Sequence, residues 1–175
     1  GAFSQIFNAS KNKVKWNDGT EQEYDLNQFT NIISKVALTT EELATLKGFT
    51  AATSIKLTEN ATIPANTFKN LTALETINLP KATTIAKDAF DASTNLVNVI
   101  MPAYKFADET INPQILKKAS LVTLNMSGVD QMSAAFPAKG LSLSDYNQLT
   151  TVTVKDGLLV GASSFNGCSA LTTIN

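Results

Sequence analysis

The sequence predicts an α/β solenoid: a right-handed superhelix of coils about 22 residues long, each giving one short strand to a parallel β-sheet, mostly β and turns, closed at its start by a small α+β cap. Three observations predict it. An apolar skeleton, F-x5-L-x2-I-x-L-P, begins at Phe68, begins again at Phe90 with Leu96, Val99, Met101 and Pro102, and again at Phe165 with Leu171 and Ile174. Its central aliphatic position recurs as Ile55, Ile77, Val99, Leu124, Val152 and Ile174, at intervals of 22, 22, 25, 28 and 22 residues. Nine residues before each of these stands Leu46, Phe68, Phe90, Ile115, Leu143 or Phe165. A unit this short cannot bury its own apolar face, so the copies must stack on one another.

Residues 1–44 do not follow the repeat and are assigned to an N-terminal cap of a hairpin plus helices. Val14-Lys15-Trp16 and Glu21-Gln22-Glu23-Tyr24 flank Asn17-Asp18-Gly19, residues that tolerate positive φ, which predicts a hairpin. Leu26, Phe29, Ile32, Ile33, Val36 and Ala37 fall on one face of a helix. Thr39-Thr40-Glu41-Glu42 forms a capping box opening a second short helix, with Gly48 as its closing residue. Trp16 is read as part of the plug over the first coil rather than as a ligand platform.

Residues 45–175 form about six coils. Leu57, Leu79, Met101, Met126 and Val154 lie two residues after the central position, the alternation of a half-buried strand. Pro80 and Pro102 follow their strands directly, where a missing donor ends the ladder. The Phe positions fill the interior, with Leu74, Leu96, Leu121, Leu149 and Leu171 as a second internal ladder. The nine-residue run into each strand is constant, so the extra residues, over 103–113 and 127–140, belong to the return side. The chain stops inside a predicted strand, leaving Leu171 and Ile174 on an open edge, and unprotected edges invite pairing. Three explanations follow: a longer array, a second protomer pairing as a homo-dimer through this C-terminal edge, or a frayed natural end. The first two are favoured jointly.

Ala89-Phe90 through Leu96, Val99 and Met101-Pro102, and Ser164-Phe165-Asn166-Gly167-Cys168-Ser169-Ala170-Leu171 through Ile174, resemble the BspA-like bacterial leucine-rich repeats, whose pattern runs A-F-x-x-C-x-x-L-x-x-I-x-L-P. The resemblance covers residues 45–175. Only the last copy keeps the Cys; Phe49, Leu71 and Ser93 stand there in earlier copies. It implies a leucine-rich-repeat superhelix in a secreted or surface-anchored protein that binds other proteins or host surfaces. A parallel β-helix is the rival architecture, since it also accommodates coils of this length.

Composition removes several function classes. All 14 basic residues are Lys, with neither Arg nor His, and the net charge is -1, so nucleic-acid binding lacks both bidentate base readout and a basic footprint. No run of 18 apolar residues predicts a membrane span, and Gly1-Ala2-Phe3-Ser4 does not read as a signal peptide; an exported protein would have lost its signal. The lone Cys168 points inward as a small hydrophobe, and with no His it lacks an activating base. Asp108-Glu109 and Glu41-Glu42 are adjacent rather than convergent carboxylates, Asp88 and Asp91 read as turn residues, and no phosphate-binding glycine loop occurs. Asp130 and Asp108-Glu109 offer oxygen ligands without the spacing of a Ca²⁺ loop. No cofactor, metal site or catalytic function is therefore expected. Asn-x-Ser/Thr sequons at Asn8, Asn60, Asn70 and Asn125 are close to what a chain with 22 Thr and 16 Asn contains by composition.

The expected ligand face is the outward side of the strands. One row reads Ser54, Thr76, Asn98, Thr123, Thr151, Thr173; its neighbour reads Lys56, Asn78, Ile100, Asn125, Thr153, Asn175. Ile100 with Tyr104 and Phe106 is the expected exposed apolar spot. Six strands about 4.8 Å apart and about four residues deep give roughly 300 to 400 Å², short of the roughly 800 Å² per partner of a specific interface, so the insertions or a longer array must add to it. The expected partners are protein first and glycan second. The second function class is a structural spacer presenting neighbouring domains, and a glycan-active enzyme is the remote third.

Overall fold

A computed structural model describes residues 7–8, 13–15, 19–23, 25–133 and 140–175. Trp16, the Asn17-Asp18 part of the expected hairpin turn and residues 134–139 of the second insertion lie outside them. Strands β1 (Phe7–Asn8), β2 (Lys13–Lys15) and β3 (Glu21–Glu23) form an antiparallel sheet in that order. Lys13, Val14 and Lys15 of β2 face Glu23, Gln22 and Glu21 of β3.

The chain then departs from the expected helix over Leu26 to Ala37. Leu26–Gln28 makes a single 3-10 turn, capped by Asp25 Oδ1, which accepts from Asn27 N at 3.0 Å. Strand β4 (Asn31–Ser34) follows and pairs in parallel with β5 (Ser54–Leu57), Ile32 facing Ile55. The apolar spacing fits a helical face, but β-branched Ile32 and Ile33 favour a strand, and Ile32 stands 23 residues before Ile55, the position of a further repeat. Tertiary stacking overrides the local period. Ile32 is buried while Ile33 and Val36, which a helix would have turned inward, are exposed. The parallel sheet thus reaches into the segment assigned to the cap.

The capping box does form: Thr39 Oγ1 accepts from Glu42 N at 3.2 Å and Glu42 Oε1 from Thr39 N at 3.1 Å. It opens α1 (Thr40–Leu43), a single turn that ends well before Gly48; Gly48 instead ends a 3-10 turn over Leu46–Gly48.

From β5 the coils repeat. The return side gives β6 (Thr62–Ile63), the next strand is β7 (Thr76–Asn78), and the next return gives β8 (Thr84–Ile85), which pairs in parallel with β6. Then come β9 (Asn98–Ile100), a one-turn α2 (Asn112–Ile115) in the first insertion, β10 (Thr123–Asn125), β11 (Thr151–Thr153) and β12 (Thr173–Ile174). The main sheet has seven strands in the order β12-β11-β10-β9-β7-β5-β4. The returns are turns and short extended pieces, as a leucine-rich-repeat superhelix of about 22 residues per coil requires.

The repeat skeleton is the core. Phe68, Phe90, Ile115 and Leu143 are buried, with the Phe68 and Phe90 rings 4.9 Å apart, and Leu74, Leu96, Leu121 and Leu149 are fully enclosed. Each such side chain contributes about 1.5 to 3 kcal/mol relative to exposure. Backbone conformation recurs with equal regularity. Asn66 and Asn70 flank Phe68 with φ of 62° and 61°, and Asp88 and Ala92 flank Phe90 with 65° and 56°. Asn and Asp tolerate this left-handed region, so all of these turn residues but Ala92 suit the conformation.

The Thr content has a local cause. At strand entry Thr53, Thr83, Thr150 and Thr172 each donate both backbone N–H and side-chain O–H to one carbonyl of the preceding coil, that of Thr30, Ala61, Val122 and Thr150 respectively. The stacking interface between coils is therefore polar at the backbone and apolar inside.

Candidate functional site: the outward strand face

Parallel register brings the two predicted rows together as drawn. Ser54, Thr76, Asn98, Thr123, Thr151 and Thr173 are consecutive cross-strand partners, and Lys56, Asn78, Ile100, Asn125 and Thr153 are likewise. The unexpected β4 extends both rows by one, adding Asn31 beside Ser54 and Ile33 beside Lys56. The central residues between the rows are buried from Ile32 to Val152, so alternation sends the flanking side chains outward.

The rows differ in how their polar groups are used. In the first, Asn98 Nδ2 donates to Thr76 Oγ1 at 3.1 Å and Thr123 Oγ1 donates to Asn98 Oδ1 at 2.7 Å. These three side chains satisfy one another across three coils, which stiffens the face and occupies both ends of the Asn98 amide. In the second row, Asn125 Oδ1 accepts from Ser127 N at 3.1 Å and Ser127 Oγ at 2.7 Å. Lys56, Asn78 and Thr153 have no side-chain partner among the described residues, and half-exposed Ile100 and exposed Ile33 frame them. The second row is the one that sets free donors and acceptors beside apolar surface.

The predicted exposed cluster of Ile100, Tyr104 and Phe106 does not form. Ile100 stays half-exposed, but Tyr104 and Phe106 are core residues, their rings edge to face at 4.7 Å. The strand ends at Ile100 and Pro102 follows, so outward alternation stops there. Phe106 has φ 49°, and Asn112 Nδ2 donates to its carbonyl at 2.7 Å, so the first insertion folds back on the coil. Counted along the repeat, Tyr104 takes the place of Asn60 and Ala82, both buried. Burial, then the nearby Asp108, raises the Tyr104 phenol above its usual value.

Asn60 was singled out only as a sequon. Its Oδ1 accepts from Leu38 N and its Nδ2 donates to Leu38 O, both at 3.0 Å, so a buried amide substitutes for a backbone pair between coils. Its 22-residue distance from Leu38 was the available signal.

Elsewhere the polar groups are structural. Exposed Asp130 binds both Lys155 and Lys105; hydrogen bonds from Lys155 and then Lys105, aided by their charges, hold its carboxyl at about 2. Cys168 is half-buried, its thiol donating to Leu143 O at 3.0 Å, and burial pushes the thiol up, opposite to activation. Among the described residues no three His, Cys, Asp or Glu side chains converge as metal ligands, and no helix is long and apolar enough to cross a membrane.

No curated protein matches the chain. A family model described as BspA type leucine rich repeat region, in 6 copies, matches residues 24–123, starting just ahead of the coil that carries β4. Repeats of this type are commonly protein-interaction modules and typically non-catalytic, in proteins that are generally surface or secreted. With that match over more than half its length, on a stacked parallel-sheet core that repeats the same apolar skeleton, the chain belongs to the BspA type leucine-rich-repeat family.

Proposed function

We propose that this chain is a non-catalytic, adhesin-like binding module of a secreted or cell-surface bacterial protein, and that it captures a protein partner on the second outward row, Ile33, Lys56, Asn78, Ile100, Asn125 and Thr153. The observation that carries this reading is the difference between the rows: Thr76, Asn98 and Thr123 are hydrogen-bonded to one another, whereas Lys56, Asn78 and Thr153 remain unpartnered beside two aliphatic residues. Aliphatic anchors among unpaired polar groups suit protein recognition. Seven strands raise the face to roughly 350 to 450 Å², still short of the roughly 800 Å² needed. The partner therefore extends over the neighbouring loops.

The self-satisfied row also favours a second reading, a spacer that stiffens the array and binds little. Binding of the fluorescent chain to intact epithelial cells separates the two. Saturable binding that is lost after protease treatment of the cells, and reduced at least tenfold by Ile100→Glu with the circular dichroism spectrum unchanged, is expected. Binding unaffected by Ile100→Glu and Lys56→Glu, or absent altogether, would favour the spacer.

A further inference from the structure

Each coil covers the core of the one before it, and the coil that carries β12 presents the same inner places open to solvent. Ile174 stands where Ile55, Ile77, Val99, Leu124 and Val152 are buried, yet it is 58% exposed. Val160 stands where Ile63, Ile85 and Met132 are buried, yet it is 56% exposed. Phe165 and Leu171, at the places of fully enclosed Phe68 and Leu74, are only partly buried. The face is thus a cross-section of the apolar core, framed by the uncharged side chains of Thr172, Thr173 and Asn175.

The strand beside this face is equally open. β12 stands at one end of the main sheet, paired with β11 alone. Thr173 N and Asn175 N donate to Thr150 O and Val152 O on the β11 side. Alternation along the strand then points the N–H and C=O of Ile174 away from β11, toward the free edge. Thr173–Ile174 carries neither Lys nor Pro, two devices that discourage edge pairing. The opposite end of the solenoid differs, because its inner residues Leu26, Ile32, Leu38 and Leu43 are buried. A copy stacked head to tail finds no open core there. A face that matches only itself fits a two-fold pair, which closes instead of growing into a filament.

We infer that two copies of this chain pair through this end face, about a two-fold axis normal to the sheet. That axis sets β12 antiparallel to its counterpart. Ile174, opposite itself, then exchanges both N–H···O bonds, and apolar core meets apolar core beneath the strands. A coil of 22 residues at about 3.3 Å each encloses roughly 400 Å². The pair therefore buries roughly 800 Å² or somewhat more in total, the size of a weak, reversible complex. The same axis keeps both outward strand faces on one side of the dimer. Two faces of roughly 350 to 450 Å² join into roughly 700 to 900 Å², which reaches the roughly 800 Å² of a specific partner site. This enlarged site rests on the binding reading above; the pairing does not.

The test is sedimentation velocity with light scattering on this chain, from about 1 µM to about 1 mM, where a reversible monomer–dimer equilibrium with a dissociation constant on the order of 100 µM is expected. Ile174→Asp and Val160→Asp, both at exposed positions of the single copy, should each raise that constant tenfold or more while the circular dichroism spectrum is unchanged. A monomer throughout, which leaves the face to a further coil or to an unlike protein, overturns the inference. So does growth beyond the dimer, or a dimer that both Asp variants leave intact. Ile100→Glu should reduce cell binding and leave the dimer unaltered. A dimer without cell binding would sink the binding reading alone, and an Ile100-dependent monomer would sink the pairing alone.

Discussion

Replacing Ser93 with Ala removes the side chain that joins the Phe68 and Phe90 turns. Ser93 is fully buried; its Oγ donates to Phe68 O and accepts from Leu71 N at 3.2 Å. Neither backbone group has another partner among the described residues. Ser93→Ala therefore strands one buried carbonyl and one buried N–H, at about 1 to 3 kcal/mol each, or about 2 to 6 kcal/mol together. The volume lost is a single oxygen, so cavity formation adds little. At a mid-range urea m-value of about 2 kcal/mol/M, the midpoint falls by roughly 1 to 3 M. Ser93→Cys is the informative control, because at the same repeat position Cys168 already donates to the carbonyl of Leu143. A thiol keeps the donation to Phe68 O and accepts poorly from Leu71 N, so it should fall between wild type and Ser93→Ala. The assay is urea denaturation followed by far-UV circular dichroism. Ser93→Ala within about 0.5 kcal/mol of wild type, or Ser93→Cys as damaging as Ser93→Ala, would refute the hydrogen-bond account.

Three further outcomes are expected. Ala92 holds a left-handed backbone, φ 56°, at an exposed position where the fifth and last copies place Asp145 and Gly167, so Ala92→Gly should raise stability by about 0.5 to 1 kcal/mol in the same denaturation experiment. A Cβ on Gly128 would lie 2.6 Å from Tyr104 O and 2.8 Å from Pro102 O, both backbone atoms; Gly128→Ala should destabilise by about 1 to 3 kcal/mol, with the near-UV dichroism of Tyr104 altered. The Asp130 carboxyl is lowered to about 2, so its contribution is complete above the unfolded carboxyl value of about 3.9 and fades as pH falls toward 2. Melting temperatures measured from pH 5 to 2 should therefore fall more steeply for wild type than for Asp130→Asn, modestly so because the ion pairs are exposed.

The solenoid was legible because stacking imposes one register on every coil. Ile55, Ile77, Val99, Leu124 and Val152 must coincide in space, so they coincide in sequence, and insertions are visible as lengthened intervals. The first coil was not legible for a related reason. Between Leu26 and Ala37 the same residues satisfy a helical face and a strand with turns, and only the distance from Ile32 to Ile55 distinguishes them. Periodicity within a segment is weak where a neighbouring coil supplies the packing. Tyr104 and Phe106 show the opposite limit: both follow a strand that Pro102 ends, and while Tyr104 keeps the buried repeat place of Asn60 and Ala82, Phe106 lies in the lengthened interval and has no buried counterpart.

Outward positions carry little of this information, since a strand face tolerates any residue that does not disturb the buried side. Thr76, Asn98 and Thr123 looked like candidate ligand contacts, but three-dimensional register turns them toward one another. A sequence row cannot distinguish a polar group facing a ligand from one facing its neighbour; the hydrogen-bond partner decides. The same reasoning shifts weight to the positions that break the repeat. Asn60 departs from an otherwise apolar row and proves to be a brace, with both amide atoms paired to Leu38. Asn112 also departs from the pattern, is as deeply buried, and has only one of its two amide atoms paired. A buried amide that is half used costs stability wherever nothing completes it. Asn112 stands in the first lengthened coil, where none of the described residues supplies the donor that the regular coils provide for Asn60.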